Sequence, residues 1–282
     1  IVINKPTGIT SHTCIAKLRW LLKEKKIGHC GTLDPMASGV LPVLIGKAVK
    51  VSEYMVCDGK RYKARLKLGL TTDTEDVTGT TLTVSDFIPT PEQVEAILPS
   101  FRGEIMQIPP MYSALKVGGR KLCDIARAGE TVEREARPVT VKSLVCEATD
   151  SPRDYRMTVR VSGGTYIRTL CHDIGQVLGC GACMSSLRRT GAGCYGIGQA
   201  VTMEALLAME NPCDRLLPVD SLFAHLPAVT VQQNQLKQIF NGAAVKMSCL
   251  NPGEYRVYGP DGTFLMVGQA KNGLLLTVKS FF

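Results

Sequence analysis

Over residues 61–68 apolar and charged side chains alternate without exception, Tyr62, Ala64, Leu66 and Leu68 against Arg61, Lys63, Arg65 and Lys67. A period of two marks a strand with one covered face. Residues 155–162 repeat it, with Tyr155, Met157, Val159 and Val161 set against Arg156, Thr158, Arg160 and Ser162. Such strands suit an antiparallel sheet covered on one side. The period changes at the start of the chain, where Ile15, Leu18, Leu21 and Leu22 fall on one helical stripe. That spacing predicts a helix from Ser11, its N-cap, to about residue 25. Helices are also predicted over 91–98, with Pro91 in the first turn, and over 120–128, 165–178 and 202–209. Residues 28–39 hold three glycines and Pro35, so they read as a loop, and 41–45 as a short buried strand. Strands and helices do not alternate as regular βαβ units, so the class is α+β: a mixed, mainly antiparallel sheet with flanking helices.

The pattern shifts again after residue 222. One amphipathic helix over 232–240 is followed by short apolar runs. Asn241-Gly242, Pro252-Gly253, Pro260-Asp261-Gly262 and Asn272-Gly273 bound them, and 274–278 would be the last strand. This predicts two unequal domains, residues 1–222 and a small β-rich domain over 223–282.

Charge adds a partner class. With 33 Lys+Arg against 25 Asp+Glu the chain carries +8 in 282 residues, which permits a polyanion such as nucleic acid. No apolar run approaches the about 20 residues needed to span a bilayer, and Ile1 leads into a strand-like segment without the regions of a signal peptide. Eleven cysteines, an odd number in a chain long enough to bury a core, read as reduced thiols in the cytoplasm. Cys180 and Cys183, with Cys171, His172 and Cys194 nearby, lack the second pair of a zinc site, so a metal there is the minority reading.

Candidate chemistry gathers at a few points. Asp34 stands in a Gly-rich loop before a strand, and Pro35 biases it away from helical dihedrals. A carboxylate so placed is a nucleophile or base, or the side chain of an ordinary Asx-turn. Gly163-Gly164-Thr165-Tyr166-Ile167-Arg168 reads as a strand-to-helix turn with an arginine in the first helical turn, suited to pairing with an anion or to simple solvation. Tyr62 is either a core residue or an aromatic beside cations on which a base stacks. Residues 109–137 carry Lys116, Arg120, Lys121 and Arg127, a solvated loop or an arm that clamps a phosphate backbone. Arg188-Arg189 is a second basic point. No P-loop or His-Glu-x-x-His pattern occurs.

Taken in order, five motifs resemble those of the TruB family of tRNA pseudouridine synthases. They are Asn4-Lys5-Pro6-Thr7-Gly8-Ile9-Thr10-Ser11; Gly28-His29-Cys30-Gly31-Thr32-Leu33-Asp34-Pro35 with Ala37-Ser38-Gly39-Val40-Leu41-Pro42; Lys60-Arg61-Tyr62; Pro109-Pro110-Met111-Tyr112-Ser113-Ala114-Leu115-Lys116; and Gly164-Thr165-Tyr166-Ile167-Arg168. The resemblance covers residues 1–200. It implies conversion of the uridine at position 55 of the tRNA T-loop to pseudouridine, with no metal or organic cofactor, and a PUA-type RNA-binding domain over 223–282. The family's nucleophilic Asp falls on Asp34, its paired Arg on Arg168 and its stacking Tyr on Tyr62. Tyr166 is the Tyr of the last motif. His29 matches a His that fills the space left by the flipped base, Leu187 an apolar pocket wall and Asp76 an acidic position near the site. Residues 109–137 resemble the family's RNA-gripping insertion. Cys30 departs from the Thr or Ser common there, as a tolerated small residue.

Three other readings stand beside this one: a tRNA-folding helper, a zinc site at Cys180 and Cys183, and a guide-RNA-dependent relative. The chain as given lacks the long basic tail of guide-dependent relatives, so a monomer acting without guide RNA, with tRNA as partner and no membrane, is the expectation.

Overall fold

The computed structural model describes residues 1–52, 54 and 59–282. Among these, a ten-stranded mixed sheet forms the body. In spatial order its path runs Val201–Thr202, Val2–Lys5, Ser38–Ile45, Ala182–Ala192, Lys60–Leu68, Asp154–Val161, Arg137–Ala148 and Gly103–Gln107. Ile27–His29 pairs with Ser38–Ile45, and Tyr195–Gly196 with Ala182–Ala192. Pairing is parallel between Val2–Lys5 and Val201–Thr202 and between Ala182–Ala192 and Ser38–Ile45. The other pairs are antiparallel.

The two alternating segments are neighbours, with Tyr62 opposite Val159 and Ala64 opposite Met157. Their apolar residues enter one core with Ile15 and Leu18 of the Ser11–Leu22 helix and with Leu170 and Ile174 of the Ile167–Val177 helix. The cations alternating with them face the other way. Arg61, Lys63, Arg65, Arg156 and Arg160 are exposed on the uncovered side of the sheet.

Several predicted boundaries move for local reasons. The first helix stops at Leu22 because Lys23 turns left-handed (φ 50°), and its N-cap is Thr10, whose hydroxyl accepts from the Thr13 amide. Ser11 is the first helical residue and turns elsewhere. The expected loop over 28–39 is shorter, since Ile27–His29 is a strand and Ser38–Ile45 begins three residues before the predicted 41. The helix predicted over 120–128 spans Leu122–Arg127, Arg120–Lys121 being a short strand against Lys116–Val117. Over 232–240, a 3-10 turn at Gln233–Gln235 precedes a single helical turn at Leu236–Phe240.

A separate five-stranded sheet follows, in the order Ala228–Thr230, Gly253–Tyr258, Phe264–Lys271, Leu274–Ser280 and Val245–Lys246. It has its own core of Val231, Ile239, Val257, Leu265 and Leu275. A third apolar cluster joins it to the body: Phe223, Val267 and Phe281 pack with Val2, Val40 and Tyr195. Phe223 lies edge-on to Tyr54, ring centroids 5.2 Å apart. Among the described residues no helix is long and apolar enough to cross a membrane.

Candidate active site

The loop over 30–37 returns from Ile27–His29 to Ser38–Ile45 and carries Asp34 at its turn. Gly31 (φ 87°) and Gly39 (φ 105°) stand on either side of it in the left-handed region that favours glycine. At Gly39 a Cβ would also meet the Arg189 carbonyl oxygen.

Two fully buried cations hold this loop by its carbonyls. Lys5 donates from Nζ to Ile9 O (2.7 Å), Pro6 O (2.8 Å) and Pro35 O (3.4 Å). Arg189 donates from Nε to Val40 O (2.6 Å), from Nη2 to Gly31 O (2.9 Å) and from Nη1 to Thr32 O (3.4 Å). Buried charges need such partners. Ser11 completes the support, its hydroxyl accepting from the Leu33 amide and donating to the Leu33 carbonyl, both at 2.9 Å. The Arg188-Arg189 pair is therefore not one basic point on the surface. Arg188 is exposed, whereas Arg189 turns inward beside Leu187. Alternation along the strand carries the signal for this, because residues two apart share a face and Leu187 is apolar.

Arg168 lies in the first turn of the Ile167–Val177 helix and is only 5% exposed. Its Nε is 3.0 Å from Asp34 Oδ2 and 3.9 Å from Asp76 Oδ2. The remaining donors go to Thr74 O (3.0 Å) and Tyr112 O (2.8 Å). One guanidinium thus ties together the Asp34 loop, the 72–78 turn and the start of the 109–137 segment. Asp34 keeps 36% of its side chain exposed, so its carboxylate is held by one cation and open on its other side.

Asp76 is buried. Its Oδ1 accepts from Thr74 Oγ1 (3.0 Å) and from the Thr78 amide (2.9 Å) and hydroxyl (2.5 Å). Glu75 beside it has φ 63°, an uncommon conformation for a residue with a Cβ. Its carboxylate accepts from Thr169 Oγ1 at 2.6 Å, and burial raises its pKa against the lowering effect of that bond.

Tyr62 and Leu187 are both buried in the core that lies on the Arg168 side of the sheet, Leu187 opposite Ala64. Tyr166 lies two residues before Arg168. The Gln107 side chain brackets it, donating to Tyr166 O (3.0 Å) and accepting from Tyr166 N (2.8 Å). His29 is half-buried, its Nδ1 has no partner among the described residues, and burial lowers its pKa, with Arg189 adding to the effect.

In the 109–137 segment Lys116, Arg120, Lys121 and Arg127 are exposed. Two of them are already engaged, Arg120 in a forked pair with Glu130 (3.1 Å on each arm) and Arg127 with Asp124 (3.4 Å). Cys30 is buried and its thiol is pushed up to about 11 by desolvation, far from a thiolate at neutral pH. Cys180 and Cys183 are buried thiols raised by desolvation, and no group of three or more metal-ligating side chains gathers among the described residues. Lys5, Arg189, Gln107 and Glu75 complete the site without having been singled out individually as parts of it by the sequence.

Residues 19–167 match the TruB family pseudouridylate synthase (N terminal domain), and residues 168–224 the tRNA pseudouridylate synthase B C-terminal domain. Residues 227–277 match the family described as pseudouridine synthase II TruB, C-terminal. The chain is 43% identical over 276 residues to tRNA pseudouridine synthase B of Stutzerimonas stutzeri, covering 95% of this chain and 90% of that protein. It is 41% identical over 285 residues to the protein of the same name from Clostridium kluyveri, covering 99% and 98%. Among solved structures, a Cbf5-Nop10-Gar1 complex is similar with a TM-score of 0.72 at 28% identity, over 100% of this chain and 84% of that one. An H/ACA RNP bound to a substrate RNA containing 2'-deoxyuridine is similar at 0.71 and 26% identity, over 100% and 84%. Matched from residue 19 to residue 277 and at more than 40% identity over nearly its whole length, the chain belongs to the TruB family of pseudouridylate synthases.

Proposed function

We propose that this chain isomerises a uridine of tRNA to pseudouridine, the uridine at position 55 of the T-loop, with Asp34 as the reacting carboxylate. The observation that carries the reading is the Arg168–Asp34 pair at 3.0 Å, with one side of the carboxylate open. Arg168 holds the Asp34 carboxylate in place while substrate covers it. A base in a folded loop is reached only by flipping it out, at a cost of a few kcal/mol. Stacking on Tyr62 returns about 1–3 kcal/mol. Leu187 gives the pocket an apolar wall, Tyr166 and Asp76 line and brace it, and His29 takes the place of the flipped base. The base is detached, rotated and rejoined through carbon. Attack at the sugar C1′, addition to the base C6 and assistance of glycal formation are all compatible with a carboxylate there. Oxidation, hydrolysis and group donation play no part, so we assign no metal or organic cofactor.

In this reading residues 1–222 are catalytic, 109–137 grip the RNA through Lys116, Arg120, Lys121 and Arg127, and 223–282 form a PUA-like RNA-binding domain. The protein acts as a cytoplasmic monomer without a guide RNA. Higher identity to the tRNA pseudouridine synthase B proteins than to the Cbf5 structure supports this choice. The test is tritium release from a T-loop RNA labelled at uridine C5, using the purified chain alone. Asp34→Asn is expected to abolish release while RNA binding persists; unchanged turnover in that variant, or a requirement for added guide RNA, would sink the assignment.

A further inference from the structure

The helix-covered face of the sheet holds Tyr62, Leu187 and Arg168. The opposite face carries an arrangement the catalytic reading does not use. Lys63 stands directly across from Arg188, Arg65 from Arg156, and Arg61 from Arg160, each pair on adjacent strands. Paired strands lie about 4.8 Å apart and alternate residues recur about every 6.7 Å, so these rows form a compact lattice of charge. Like charges directly opposite one another destabilise a sheet. Glu147 faces Arg156 from the next strand, yet among the described residues no carboxylate lies within ion-pair distance of Lys63, Arg65, Arg156, Arg160 or Arg188. The cations are not packed on one another by accident of a crowded loop; the strand register fixes them.

Lys63, Arg65, Arg156 and Arg188 line a groove of about 400 Å³. Thr158, Ser186 and Glu147 line it together with Ala64, Met157 and Leu187 of the same strands. Met36 and Ser38, from the far side of the Asp34 turn, form one wall. No aromatic side chain lines it.

We infer that this groove is a second RNA-binding surface, one that holds phosphate backbone outside the loop entering the active site. Four cations with a single carboxylate suit a polyanion, and each phosphate bound there would relieve one of the cross-strand repulsions. Without aromatic platforms the groove has nothing to stack bases on, so it reads charge and spacing but not sequence. An acidic protein partner would also want an aromatic anchor, which the groove does not offer. Because these cations alternate along their strands with Tyr62, Met157 and Leu187, their side chains point away from the face of Tyr62, and a phosphate backbone held on them leaves that face free.

The probe is a fluorescently labelled 20-base-pair RNA duplex with no hairpin loop, titrated by anisotropy into the full chain saturated with an unlabelled T-arm hairpin. The wild-type protein is expected to bind the duplex with the hairpin in place. The double variant Arg65→Glu with Arg156→Glu should bind it at least 10-fold more weakly, and Arg65→Gln with Arg156→Gln to an intermediate degree. The slope of log K against log salt should become shallower by about 2 in the Gln variant, about 0.9 for each phosphate no longer neutralised. Hairpin turnover should stay within 2-fold in the Gln variant, which also reports on folding. Displacement of the duplex by the hairpin, duplex binding that ignores both substitutions, or saturation of the groove by a mononucleotide with no duplex binding would each overturn the inference.

Discussion

Arg168 and Asp34 meet through a single guanidinium nitrogen at 3.0 Å, while the other two nitrogens of Arg168 hold the carbonyls of Thr74 and Tyr112. Only a planar fork serves three segments at once. Arg168→Lys keeps the charge and loses the fork. Turnover is expected to fall about 100-fold or more, the scale of a misplaced reacting group, with RNA affinity changed by less than a few fold. Single-turnover rates at saturating hairpin RNA measure it; a loss of less than 3-fold would mean that charge alone suffices.

Arg189 does the same service for the other flank of the loop and touches no solvent. Arg189→Met should cost about 2–4 kcal/mol, because the carbonyls of Gly31, Thr32 and Val40 lose their donor and each such loss costs about 1 kcal/mol or more. Arg189→Lys should recover part of the stability. Urea midpoints of the three proteins test the order; a Met variant as stable as the parent refutes the bracing role.

Gln107 spans both backbone groups of Tyr166. Gln107→Ala removes two hydrogen bonds at about 1 kcal/mol each, and Gln107→Glu loses the donor while keeping the acceptor. Both should lower kcat by loosening the start of the Arg168 helix, and the Glu variant should be the less stable of the two, because it buries a carboxylate oxygen against the Tyr166 carbonyl. Equal kcat in all three would separate Tyr166 from the reaction.

Asp173 supplies a pH dependence. Burial raises its pKa from 3.8 to about 6, with Glu75 adding to the shift and His172 opposing it. The folded protein therefore binds a proton between about pH 4 and 6 that the unfolded chain has released, so this group's contribution to stability falls as pH rises through that window. Asp173→Asn should match the parent at pH 4 and melt higher at pH 7. Melting curves at the two pH values decide it, and a variant that is not relatively stabilised at pH 7 contradicts the assignment.

The sheet is legible because its strands obey a period of two. Residues 61–68 and 155–162 lie side by side with their apolar faces in one core. Less is legible where one side chain overrides the local pattern. Thr10 rather than Ser11 caps the first helix, because Ser11 is engaged across the fold with Leu33. Arg189 reads as surface charge because its acceptors are carbonyls from 149 to 158 residues away, which no local spacing reports. The lysines and arginines beside Tyr62 suggest one RNA-facing strand; alternation puts them on the far side of the sheet from it.

The Asp34 loop is gripped by its main chain. Lys5, Arg189 and Ser11 bind the backbone of Gly31, Thr32, Leu33, Pro35 and Val40 and no side chain among them. A mould that holds only peptide groups is indifferent to what those residues carry, wherever dihedral angles and room allow. The loop can therefore exchange a hydroxyl for the thiol of Cys30 and still deliver the carboxylate of Asp34 to the same point.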